Sequence, residues 1–251
     1  AFVLPRSAKA ALVPWLARVP RRIGYRGEMR YGLINDMRGL NPAHERLVQR
    51  YAALAFTPGA TLPDRLPSPV LSSDAAARND VFARLHLDAS QAPVVLCPGA
   101  EYGPAKRWPI DSYAGLAAQL RALGRAVWVV GSAGERALGE RIAATAPETR
   151  NLAGDTTLVE AVDVLAAAAA VVCNDSGLMH VTAALGRPLV ALYGSSSPRY
   201  TPPAVVDARI IYHDLECSPC FARECPLGHF NCLRGVSVAE VMAALEYLHV
   251  L

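Results

Sequence analysis

Asn174-Asp175-Ser176-Gly177-Leu178-Met179-His180 follows the apolar run Ala166–Cys173 and precedes Val181-Thr182-Ala183-Ala184-Leu185-Gly186. The order reads as a buried strand, a tight polar turn and a helix closed by Gly186. Such a turn presents the first N–H groups of its helix. Those donors, with the positive end of the helix dipole, favour an anion, typically phosphate. Ser176 and Gly177 supply the donors, and Gly177 lets a ligand approach the backbone. Asp175 braces the turn or holds a hydroxyl. His180 lies one turn into the helix and faces the same mouth. A bare helix cap would look the same in isolation, so the neighbouring elements decide.

Those elements alternate. Ala92–Cys97 reads as a short buried strand, and Pro109 opens a helix to about Leu123, stopped by Gly124. Ala126–Val130 is the next strand, ended by Gly131-Ser132-Ala133-Gly134, and a helix spans roughly Glu135–Ala144. Thr149–Leu152 is a short strand. Thr157-Leu158-Val159-Glu160 fits a capping box for a helix through about Ala169, leading into the strand Ala170–Asn174. Pro188–Tyr193 is another buried strand, and Ser237-Val238-Ala239-Glu240 is a second capping box, opening a helix toward Leu248. Strands alternating with helices of this length imply right-handed crossovers and a parallel sheet covered on both faces. Ligands of such sheets sit beyond the carboxyl ends of the strands.

Four loops leave those ends: 98–108, 131–135, 175–180 and 194–198. The first carries two glycines and the pair Lys106-Arg107, where Lys106 would set a compact positive charge on phosphate oxygens. One such loop could be plain surface with a solvated Lys106. Four converging loops favour a nucleotide-type ligand.

Composition fits an ordinary globular protein: 251 residues, 52% apolar, 19% charged, net charge +3. A chain of this length buries roughly three quarters of its unfolded surface as one body, or folds as two small domains. No apolar run nears the ~18 residues of a membrane span. The first residues lack the pattern of a signal peptide, and the opening Ala1-Phe2-Val3-Leu4-Pro5 reads as the middle of a longer chain. Residues 1–60 carry ten Lys and Arg against three Asp and Glu. That imbalance is either a solvated face or a surface for an anionic partner. Nucleic acid is disfavoured, because no reader motif accompanies the arginines.

Of six cysteines, Cys97 and Cys173 end buried strands and act as small apolar residues. Cys217, Cys220, Cys225 and Cys232, with His213 and His229 nearby, are spaced closely enough for a zinc site. The tandem CxxC pair of a strong zinc signature is missing, so reduced thiols or a local disulfide rank above the metal, and a cytosolic setting disfavours the disulfide.

CPGAEYGPAKRWP (Cys97–Pro109) and NDSGLMHVTAALGRPLVALYGSSSP (Asn174–Pro198) resemble the signature segments of the ADP-heptose:lipopolysaccharide heptosyltransferases. Arg26–Asp36 and the Cys217–Cys232 cluster are similar to the heptosyltransferase II branch in particular. The resemblance covers nearly the whole chain. It implies an α/β fold of the GT-B type, two Rossmann-like domains facing each other across a cleft. Residues 1–70 would be a partial acceptor-side domain and linker, and 71–251 the donor-binding domain. The implied reaction is an inverting transfer of L-glycero-D-manno-heptose from ADP-heptose onto the first heptose of the lipopolysaccharide inner core, with no cofactor and no required metal. The implied setting is cytoplasmic or peripheral at the inner membrane.

The same resemblance places the family's general base, an aspartate after the first strand, upstream of Ala1, so that the base is not in this chain. Lys106 and the N–H groups at Ser176 and Gly177 would stabilise the departing ADP, with Asp175 and His180 at the sugar–phosphate end. Glu135 would take ribose hydroxyls, and Thr156 would lie beside the adenine, with Leu152 and Gly154 lining that slot. Glu135 could instead be a helix first-turn acid, and Thr156 part of a cap. Lys9, Arg18, Arg21, Arg22, Arg26 and Arg30 would meet the acceptor's carboxylates and phosphates. Another GT-B nucleotide-sugar enzyme, or a non-catalytic nucleotide- or zinc-binding fragment, would keep the same nucleotide loops.

Overall fold

The computed structural model describes residues 1–205 and 207–251. Contacts divide the chain into two units: Ala1–Pro67 with Arg199–Pro202, and Ser68–Pro198 with Pro203–Leu251.

In the first unit, β1 (Phe2–Val3), β2 (Ile23–Tyr25) and β3 (Asp36–Arg38) form a parallel sheet in that order. Helix α1 (Ala8–Leu16) is capped by the Ser7 hydroxyl, and α2 (Leu47–Ala53) follows β3. Strands of two or three residues are too short to show a period, and Pro14 inside α1 speaks against a helix on sequence grounds. None of these elements is legible in advance. Arg30 departs from the expected acceptor-facing role. It is 1% exposed, and its guanidinium donates to the carbonyls of Pro5, Ser7 and Tyr25. Its planar fork satisfies backbone acceptors that such short strands leave unpaired. Burial lowers its pKa from the ordinary value.

In the second unit α3 (Ala75–Leu85) leads to β4 (Val94–Cys97), then α4 (Ile110–Ala122), β5 (Val127–Val129), α5 (Arg136–Thr145) and β6 (Arg150–Asn151). The chain continues through α6 (Leu158–Ala166), β7 (Ala170–Asn174), α7 (Gly177–Ala184), β8 (Leu189–Tyr193), β9 (Ala208–Tyr212), α8 (Asn231–Arg234) and α9 (Val238–Tyr247). All six strands are parallel, in the order β6-β5-β4-β7-β8-β9. Alternate residues feed opposite faces of the sheet. Val94, Leu96, Val127, Val129, Val172 and Leu192 pack with Leu116 and Leu120 of α4 and Leu245 of α9. Val95, Trp128, Val171 and Ala191 pack with Phe82 of α3, Leu165 of α6 and Met179 of α7.

The expected strands and helices of this unit are present with small shifts. Helix α6 stops at Ala166, three residues early, because the chain turns at Ala167 and Ala168 to enter β7. Three elements carry no sequence expectation, the short helix α8 among them. Helix α3 is a mixed-polarity stretch, held by the Asp74 cap and by the edge contact of Phe82 on Trp128. Strand β9 is a half-exposed edge strand with no clean alternation.

Candidate functional site

The strand order reverses between β4 and β7, the place where doubly wound sheets open a crevice at their carboxyl ends. A cavity of about 550 Å³ lies there, within the size range of small-ligand sites. Of the residues singled out from sequence, Glu135, Thr156, Ser176 and Gly177 line it. Lys106, Asp175 and His180 stand outside its lining.

Ser176 is the N-cap of α7, yet its side chain makes no capping hydrogen bond. The caps of α1, α3, α6 and α9 all do. Helix α7 therefore brings amide donors to the cavity without a capping side chain to occupy them.

Glu135 is both a capping acid and a wall of the cavity. Its Oε2 accepts from Ser132 N–H (2.7 Å) and Ser132 Oγ (3.0 Å). Its Oε1 would lie 1.6 Å from a Cβ built on Gly99, so the carboxylate occupies the space that a side chain there would take. Thr156 lines the cavity next to the Thr157 cap of α6. Leu152 and Gly154, expected in the same slot, are not part of the lining, and Leu152 is buried behind it in the core with Trp128.

Lys106 Nζ donates to Asp175 Oδ2 at 2.6 Å, with side-chain exposures of 19% and 5%. It also stands 5.1 Å from the Tyr102 ring centroid. The sequence points Lys106 at phosphate oxygens and Asp175 at the turn or the sugar–phosphate end; the structure joins the two in one ion pair. Desolvation pushes the His180 pKa below its ordinary value; Asp175 opposes this, and Lys106 adds to it. The shift favours the uncharged ring.

Sequence reasoning missed the apolar floor: Leu158 and Ala161 on α6, Leu178 and Val181 on α7. The i, i+3 spacing of each pair was the available signal. Leu158 is 69% exposed, an apolar side chain left uncovered at the cavity.

The four cysteines Cys217, Cys220, Cys225 and Cys232 are unbonded and line a separate hole of about 20 Å³, with His229 and Ser195. Hydrogen bonds from backbone amides, led by Phe230 N–H, hold the Cys225 thiol below its ordinary pKa, while burial pushes Cys232 up. Among the described residues no three Cys, His, Asp or Glu side chains stand together as a metal-ligand set. The zinc option thus finds proximity but not a coordination sphere. Among the expected basic residues of the first unit, Arg21 pairs with Asp36, and Arg22 donates to the carbonyls of Val19, Gly32 and Leu33. Lys9, Arg18 and Arg26 are exposed. No helix among the described residues is long and apolar enough to cross a membrane.

Residues 1–231 match glycosyltransferase family 9 (heptosyltransferase). The chain is 48% identical over 222 residues to lipopolysaccharide heptosyltransferase 2 of Escherichia coli K12, covering 84% of this chain and 64% of that protein. It thus spans just under two thirds of the length of that relative. The solved structure of E. coli ADP-heptose lps heptosyltransferase II superposes with a TM-score of 0.87 at 43% identity, covering 99% of this chain and 75% of that one. E. coli heptosyltransferase WaaC with ADP shares the fold, at TM-score 0.67 and 19% identity, over 98% of this chain and 72% of that one. The fold class is accordingly α/β of the GT-B type.

Proposed function

The chain belongs to glycosyltransferase family 9 (heptosyltransferase), and on that footing we propose that it serves an inverting transfer of L-glycero-D-manno-heptose. The donor is ADP-heptose and the acceptor is the first heptose of the lipopolysaccharide inner core. One observation carries the reading: a nucleotide-sized cavity at the strand-order reversal, with the uncapped amino end of α7 and the Glu135 carboxylate both in its lining.

In this reading the adenine covers exposed Leu158 beside Thr156, and the Glu135 carboxylate accepts from ribose hydroxyls. The diphosphate reaches the N–H groups at Ser176 and Gly177. Lys106 spends one of its three N–H donors on Asp175, and the other two are available to phosphate oxygens. As the glycosidic bond breaks, negative charge grows on the leaving ADP, and these donors stabilise it most at that point. His180 hydrogen-bonds at the sugar end. No described residue is assigned as the base that deprotonates the acceptor. We place the protein in the cytoplasm, peripheral at the inner membrane, where Lys9, Arg18 and Arg26 meet acceptor carboxylates and phosphates. No cofactor and no nucleic acid enter the scheme.

The test has two steps. Calorimetry should find ADP bound by this chain with one-to-one stoichiometry. The full-length gene product should then release ADP from ADP-heptose only when a heptosyl-Kdo2-lipid A acceptor is present. A chain that ignores ADP removes the donor site. ADP binding without acceptor-dependent turnover of the full-length protein removes the transferase assignment.

A further inference from the structure

Asn174 is the last residue of β7, and its side chain is fully buried. Its amide uses every polar valence it has. Nδ2 donates to the carbonyls of Pro98 (2.9 Å) and Gly99 (3.2 Å). Oδ1 accepts from the Trp108 N–H (3.0 Å) and from the Tyr113 hydroxyl (3.3 Å), whose one proton it shares with the Cys97 carbonyl (3.4 Å). Only this orientation works, since the flipped amide would set oxygen against two carbonyls.

Pro98 and Gly99 begin the loop after β4, and Trp108 ends it. A single side chain therefore ties both ends of the loop together at its base. The loop carries Gly99, Ala100 and Glu101 on one wall of the cavity, and Lys106 farther along. The residues immediately after Asn174 are Asp175, the partner of Lys106, and Ser176 and Gly177, which also line the cavity. Both lining segments branch from one amide. Filling the space alone would need no polarity, because a leucine has a similar volume.

We infer that Asn174 is a positioning residue for the donor: without touching the nucleotide, it sets the gap between the Lys106 loop and the amino end of α7 into which the diphosphate fits. The inference rests on the proposed reading of the cavity as the ADP site.

The nearly isosteric Asn174→Asp gives a specific readout. An ionised carboxylate keeps the two acceptor contacts but turns a negative oxygen toward the carbonyls of Pro98 and Gly99. A protonated carboxyl donates to one of them and restores part of the clamp. Burial favours the protonated form, so acidification should repair the variant. The titratable groups facing the position are Tyr113, Cys97 and Cys173, all pushed up by burial and neutral throughout. The Lys106–Asp175 pair lies next along the chain, with His180 against it. Expressing each affinity as a ratio to wild type at the same pH cancels the titration of His180 and of ADP itself.

The experiment is calorimetry of ADP binding to wild type and Asn174→Asp at pH 8.0 and pH 5.5, with melting curves to confirm that both are folded. At pH 8.0 the variant should bind about tenfold or more weakly than wild type, and at pH 5.5 most of that deficit should vanish. A folded variant that equals wild type at pH 8.0, or that shows the same deficit at both values, overturns the inference. If Asn174→Asp does not fold, wild type decides through hydrogen exchange. The Trp108 amide should be protected without ADP and no more protected with it, whereas rapid exchange without ADP overturns the clamp. Absence of ADP binding by wild type removes the donor reading and the inference together. Binding by wild type with no Asn174 effect removes the inference alone.

Discussion

Replacing Gly99 by alanine would test how closely the cavity is built. The added Cβ would stand 1.6 Å from Glu135 Oε1, 2.1 Å from its Cδ and 2.6 Å from Oε2. Ordinary contact needs about 3.5 Å, so the carboxylate must retreat by roughly 2 Å. Its bonds to Ser132 N–H and Oγ, now 2.7 and 3.0 Å, do not survive such a move. Glu135 is the mobile end of a half-exposed side chain, so the fold yields cheaply. Losing a surface capping box costs about 1 kcal/mol. That is a fall in Tm of about 2–4 °C for a protein of this length. The ligand loses more, because the carboxylate no longer stands where ribose hydroxyls would meet it. A charge-assisted hydrogen bond lost in a sheltered site lowers ADP affinity about tenfold or more. Calorimetry of ADP against Gly99→Ala, beside a melting curve, separates the two effects. An affinity within twofold of wild type, from a protein melting within a few degrees of it, would show that Glu135 does not define the nucleotide wall.

Lys106→Ala should weaken ADP binding about tenfold, and unchanged binding would end its phosphate role. The same variant strands Asp175, 5% exposed, without its partner. We expect a loss of about 2 kcal/mol, read by urea unfolding. Acid should unfold the chain along a limb set by two carboxylates. The Arg38 hydrogen bond, helped by Arg21, lowers Asp36 from 3.8 to about 2. The Ser237 backbone amide, helped by His213, lowers Glu240 from 4.5 to about 2. Both folded values lie below the unfolded ones, so this stability is complete above about pH 4.5 and is lost as pH falls toward 2. Melting curves from pH 5 to pH 2 should be flatter for Asp36→Asn and Glu240→Gln than for wild type. Raising salt from 50 to 500 mM should raise the full-length protein's KM for acceptor more than its KM for ADP-heptose, because exposed charges are screened first. Equal effects would remove Lys9, Arg18 and Arg26 from acceptor recognition.

The elements of the second unit were legible because their signals are local. Buried strands appear as apolar runs such as Ala170–Cys173. The helices beside them announce their starts, as with Thr157 and Ser237, whose hydroxyls do accept from Glu160 and Glu240 N–H. Strand β9 and helix α3 stayed hidden because an edge strand and a mixed-polarity helix take their stability from what they pack against. Charge alone misled at Arg30. A sequence count treats all ten basic residues of the first stretch alike, whereas Arg30 is buried against three carbonyls. The cysteines show the same limit: spacing brought four thiols to one small hole, and spacing could not say whether they converge on an ion.

By itself, the sequence determined the alternation of strands and helices, the loops that leave the strand ends, and the turn at Asn174–Gly177. Hydrophobic period and backbone-compatible residues act within a few positions of the chain. The order β6-β5-β4-β7-β8-β9, the pairing of Lys106 with Asp175 and the four bonds of Asn174 were decided only in the folded molecule. Each joins residues tens of positions apart, and their worth depends on a distance and a degree of burial that exist only once the sheet has closed.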